Sequence, residues 1–99
     1  MRKYYEEHKM KPTRDNWCPN FPNNQVSVSI YLNMGATDDK DDEGIGIWHR
    51  VCVWGSDDCG MEIDFTEHQE EDALNVYAKV MNLDFVDFAH VKSLGFKGA

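Results

Sequence analysis

Between Gln25 and Met34 every second residue is apolar. Val26, Val28, Ile30, Leu32 and Met34 share one side, and Ser27, Ser29, Tyr31 and Asn33 share the other. Strict alternation marks a strand with one buried face. Ile45 to Trp54 repeats it. Ile45, Ile47, His49, Val51 and Val53 lie on one face; Trp48, Arg50, Cys52 and Trp54 lie on the other. Met61 to Phe65 is a third strand, with Met61, Ile63 and Phe65 inward and Glu62 and Asp64 outward. Gly55-Ser56-Asp57-Asp58-Cys59-Gly60 has turn chemistry, so the second and third strands form a hairpin. Gly35 to Gly44 reads as an acidic loop.

A helix follows. Thr66-Glu67-His68-Gln69 fits a capping box, in which side chains at both ends of the motif satisfy the helix's unbonded N–H groups. Glu67, Glu70, Glu71 and Asp72 fill the first turns, where the helix dipole favours anions. Leu74, Tyr77, Ala78 and Met81 fall at i, i+3, i+4 and i+7 and form one apolar stripe. Asp84 is a candidate cap for a second short helix burying Phe85, Phe88 and Ala89. The same stretch also alternates as a strand would through Phe85, Asp87, Ala89 and Val91.

Residues 1–24 carry Pro12, Pro19 and Pro22 with several asparagines, which break long elements. They read as an irregular segment packed on the domain through Tyr4, Tyr5, Trp17 and Phe21, with a helical turn or two at residues 3–9. The expected fold is therefore α+β. A three-stranded antiparallel meander has one face covered by one long and one short helix. Residues 25–99 form a single domain.

Charge sets the functional expectations. Asp38 to Asp72 holds thirteen acidic residues against Lys40 and Arg50, a local balance of −11, while the flanks carry +2 and +1. Crowded like charge opposes compaction. A chain this acidic is not expected to bind nucleic acid through phosphates, which need Lys and Arg. Its expected partner is a basic protein surface. No apolar run reaches the roughly 18 residues of a membrane span, and no signal-peptide pattern opens the chain. Cys18, Cys52 and Cys59 are odd in number and irregularly spaced, as reduced thiols would be. A cytoplasmic setting is expected.

Sites of chemistry fare poorly. Asp39-Lys40-Asp41-Asp42-Glu43-Gly44 begins like a calcium-binding loop, but Gly46 and Arg50 stand where an apolar residue and a bidentate Glu belong. His49 and Cys52 are three apart on a strand and face opposite ways, so they cannot share a zinc ion; His49 reads as a core-edge histidine with a hydrogen-bond partner. No nucleophile motif accompanies the cysteines. Neither a catalytic residue, nor a metal, nor a cofactor is expected.

The outer sheet face is the candidate site. Tyr31, Trp48, Arg50 and Trp54 are residue types enriched at interaction hot spots. Glu62 and Asp64 edge them. Asp57 and Asp58 sit in the hairpin tip, and Glu67, Glu70 and Glu71 at the helix start. Aromatic anchors ringed by carboxylates can steer a basic partner and then lock by apolar contact. In its strong form this is a DNA mimic. Burial of the face by Trp17 and Phe21 is the alternative.

The run Val51-Cys52-Val53-Trp54-Gly55-Ser56-Asp57-Asp58-Cys59-Gly60-Met61-Glu62-Ile63-Asp64-Phe65, the acidic helix and the terminal Ser93-Leu94-Gly95-Phe96 resemble small accessory proteins encoded by tailed bacteriophages. The likeness covers about the last half of the chain. It implies a host-cell setting and a regulatory or inhibitory role, and it carries over no functional residue. The expectation is a non-enzymatic protein that binds and inhibits or modulates a host protein, such as a nucleic-acid-binding enzyme or defence factor. The alternatives are a self-associating assembly protein (a homodimer through the sheet face) and a small-ligand or metal-binding module.

Overall fold

The computed structural model describes residues 5–14, 25–35, 46–55 and 60–98, with residues 5–8 as backbone only. The three alternating runs form strands β2 (Gln25–Leu32), β3 (His49–Trp54) and β4 (Gly60–Phe65). Two more strands complete an antiparallel sheet of five: β1 (Tyr5–Pro12) and β5 (Lys97–Gly98). Their spatial order is their chain order, so each strand pairs only with its sequence neighbours. Between β4 and β5 the chain forms a 3-10 turn (Glu67–Gln69), helix α1 (Glu70–Met81) and helix α2 (Phe88–Ser93).

The architecture is α+β, with five strands where three are expected. Tyr5–Pro12 is a strand and not an irregular or helical piece. It pairs with β2 from Tyr5↔Leu32 to Pro12↔Gln25. Its sequence hides this because α1 packs chiefly on β2, β3 and β4. The β1 positions on the helix side, Glu7, Lys9 and Lys11, therefore need no apolar side chain. Pro12 is tolerated because it ends an edge strand.

The inner face buries Val26, Val28, Ile30, Val51 and Val53 completely. Helix α1 covers them with a stripe one position off the expected one. Ala73 and Val80 are buried, and Val76 packs against the core together with Tyr77 and Met81 of the expected stripe. Leu74 and Ala78 face outward. Both stripes satisfy the i, i+3, i+4, i+7 spacing. The observed one places alanine where the helix approaches the sheet, which allows close contact.

Caps fix the helix ends. The Thr66 N–H donates to Gln69 Oε1 at 2.9 Å. Lys11 Nζ donates to the Met81 carbonyl at 2.6 Å, placing a cation on the negative end of α1. The second helix is capped by Asp87, not Asp84, through N–H groups of Ala89 and His90 at 2.9 and 3.3 Å. Phe85 and Ala89 are exposed there, and Val91 is the buried residue. Ahead of it, Val86 is buried and bridges to the end of β1. Arg14 N–H donates to its carbonyl at 2.8 Å, and its own N–H donates to Pro12 at 2.9 Å. The Arg14 guanidinium lies 4.5 Å from the centre of the Phe85 ring. No helix among the described residues is long and apolar enough to cross a membrane.

Candidate functional site

Antiparallel register stacks the outer-face residues into rows. Tyr31, Arg50 and Asp64 form one row; Ser29, Cys52, Glu62 and Lys97 the next; Ser27, Trp54 and Gly60 the third. Tyr31, Arg50, Trp54, Glu62 and Asp64 therefore do share one face. Trp48 is half-buried and sits just before β3, where its backbone N–H donates to the Phe65 carbonyl at 2.9 Å.

Arg50 is the centre of this face. Its Nε contacts a carboxylate oxygen of both Glu62 and Asp64, the latter at 2.7 Å. Burial works to lower the guanidinium pKa. The hydrogen bond to Asp64 and the charges of Asp64 and Glu62 outweigh it, so the pKa is raised. The two carboxylates expected to greet a basic partner are thus already engaged. Replacing both would strand a half-buried cation.

Trp54 is 45% exposed. Its ring lies on Gly60 so closely that a Cβ there would stand 2.4 Å from Cε3. Glycine is needed at that position because the indole occupies the side-chain space. The indole is thus seated on Gly60 and half open. Sequence reading picked out Trp54 but missed Gly60 as its platform; a glycine directly opposite a tryptophan across the hairpin was the available signal.

Cys52 is a buried free thiol. Burial pushes it up to about 11, with Trp54 and Arg50 pulling down and Glu62 and Asp64 pushing up. A thiol so protonated at neutral pH is a poor nucleophile. Iodoacetamide at pH 7.5 is expected to leave Cys52 unlabelled in the folded protein and to label it in urea, as read by peptide mass spectrometry. Rapid native labelling of Cys52 would contradict the burial.

The acidic residues divide between places. Glu67 and Glu71 are exposed at the start of the helical layer, off the outer face. Glu70 is half-buried and accepts from Asn33 Nδ2 at 2.8 Å. Asn33 takes a left-handed conformation (φ 56°), which asparagine tolerates. Its N–H donates to Nδ1 of His49 at 3.1 Å, and His49 Nε2 lies 3.0 Å from the Glu67 carbonyl. His49 is fully buried. Because Nδ1 accepts, Nε2 carries the proton and donates. The ring therefore joins the end of β2 to the start of the helical layer. Asp57 and Asp58 lie outside the described residues, as do the calcium-like loop, Trp17, Phe21, Cys18 and Cys59.

A groove of about 350 Å³ runs along the outside of β4, lined by Ile47, Ile63, Asp64, Phe65 and Lys97 among others. Its lining holds no histidine, cysteine or serine. Among the described residues no three His, Cys, Asp or Glu side chains gather as a metal site would need. No family model, curated protein or solved structure matches the chain.

Proposed function

We propose that this chain is a non-enzymatic binding protein of the phage accessory type. It docks on a basic surface of a host protein and inhibits or modulates it. A nucleic-acid-binding enzyme or defence factor is the natural class of target, because such proteins present basic grooves. The observation that carries the reading is Trp54: a large indole held on Gly60 and half open to solvent beside the Arg50–Glu62–Asp64 cluster. Aromatic anchors fixed before binding lose little side-chain entropy when they bind.

The acids supply steering. Glu67, Glu71 and Asp72 are exposed at one end of the sheet, the end at which the acidic connection 36–45 leaves Gly35 and returns at Gly46. Because Arg50 engages Glu62 and Asp64, the outer face supports aromatic docking better than it supports a continuous array of phosphate-like charges. The anionic role falls to that neighbouring end of the molecule.

Capture of partners from bacterial lysate, at low and high salt, tests this. Trp54→Ala is expected to weaken capture by about 2 kcal/mol, roughly thirtyfold. Gly60→Ala keeps the indole but pushes it off its seat, and should weaken capture too. Reversing Glu67, Glu71 and Asp72 to Lys should slow association and flatten its salt dependence. Full-strength capture by folded Trp54→Ala would refute the proposal.

A further inference from the structure

The sheet has a long edge that no described residue covers. Strand β1 is its outermost strand, and beyond it only Val86 bridges, at Thr13. The Pro12 carbonyl accepts from Val86, so the backbone groups of residue 12 point away from β2. Backbone direction repeats every second residue along a strand. Those of Met10, His8 and Glu6 therefore also point outward, while Lys11, Lys9, Glu7 and Tyr5 bond β2. The opposite end of the sheet gives the same phase. The Phe65 carbonyl accepts from Trp48 on the β3 side, and counting back through the registers returns the even residues of β1 to the open edge.

Edge strands invite pairing with another strand, and natural proteins blunt them with charge. The charges on β1 are arranged to do the reverse toward one particular partner. Reading Tyr5-Glu6-Glu7-His8-Lys9-Met10-Lys11, acids precede His8 and bases follow it. An antiparallel copy of the same strand inverts that order. Pairing of outward-facing residues permits only registers with the two-fold axis at a single residue. An axis at Glu7 sets Glu7 against itself, and an axis at Lys9 sets Lys9 against itself and Glu7 opposite Lys11, whose ammonium already bonds the Met81 carbonyl. An axis at His8 sets Glu7 opposite Lys9 of the second copy, twice by symmetry, and Glu6 opposite Met10. Like charges directly opposite destabilise a strand pair and unlike charges stabilise it.

We propose that β1 pairs with β1 of a second copy of this chain, antiparallel about His8, joining the two sheets into one. The contact is isologous, as two-fold dimers require. It does not involve Trp54, so a dimer carries two exposed indoles on one continuous sheet.

Light scattering of the full chain across a concentration series tests this. The wild type is expected to reach twice the 11.5 kDa chain mass. Met10→Pro removes an outward N–H and leaves the bonds to β2 intact, so it should give a monomer with unchanged circular dichroism. Glu7→Lys and Lys9→Glu each create two repulsive pairs and should each weaken self-association by about tenfold. Mixed together, these two variants restore both attractive pairs and should form a heterodimer as tight as the wild-type dimer. A wild type that stays monomeric at millimolar concentration overturns the proposal. So does a dimer that survives folded Met10→Pro, or a mixture that associates no better than its parts.

Discussion

Phe96→Ala is expected to cost about 3–5 kcal/mol, the usual range for truncating a buried aromatic. A domain of this size has about 5–15 kcal/mol in total, so the variant sits near the edge of folding. At roughly 4–8 °C per kcal/mol, the melting temperature should fall by about 12–40 °C. Phe96 is only 2% exposed and belongs to the same core cluster as Met61, Val91 and the β2 valines. It comes three residues before the last of the chain, after Gly95 turns at φ 107°. It anchors the two-residue β5, which pairs only with Met61 and Glu62. Calorimetry reads the effect directly. A melting temperature within about 3 °C of wild type would show that Phe96 lies outside the core.

His49→Phe should be the second most damaging change, at about 2–4 kcal/mol. The ring keeps its volume, but the Asn33 N–H and the Glu67 carbonyl both lose their partner. Each unsatisfied buried polar group costs about 1–3 kcal/mol; exposure of Glu67 to solvent lets water recover part of that. Two further variants separate the bonds. His49→Asn keeps an acceptor near Nδ1, and His49→Gln keeps a donor near Nε2. Both are expected to unfold in urea between wild type and Phe. If Phe proves as stable as wild type, the histidine bridge contributes nothing and the junction of sheet and helical layer is held by packing alone.

Legibility followed burial. The strands β2, β3 and β4 stood out because each has one face under the helix and one outside, so their side chains alternate. His49 reads correctly as a histidine with hydrogen-bond partners, and it has two. The edge strand β1 escaped because α1 does not reach across it, leaving no apolar period to see. On α1 the stripe is legible at Tyr77 and Met81, which pack on the core, and misplaced at Leu74 and Ala78, where the sheet instead takes Ala73, Val76 and Val80. Asp84 is the cap the sequence suggests; Asp87 takes the role because Val86 is held in a bridge to Thr13, so the helix begins only after it. At the candidate site, aromatic placement on alternate positions was legible. The engagement of Glu62 and Asp64 by Arg50 was not, because it depends on cross-strand register, which a single strand does not encode.

Strands laid down in chain order have a temporal meaning as well as a spatial one. A sheet built only from neighbours can begin to zip while the ribosome is still adding residues, since β2, β3 and β4 can each pair with the strand before, and only β5 waits for the helices that precede it. The greasy side of that nascent ribbon nevertheless stays naked until α1 and then Phe96 have followed it out. Translation that stalls between β4 and α1 would release a four-stranded ribbon paired yet uncovered, and such chains should be the ones that aggregate or are cleared.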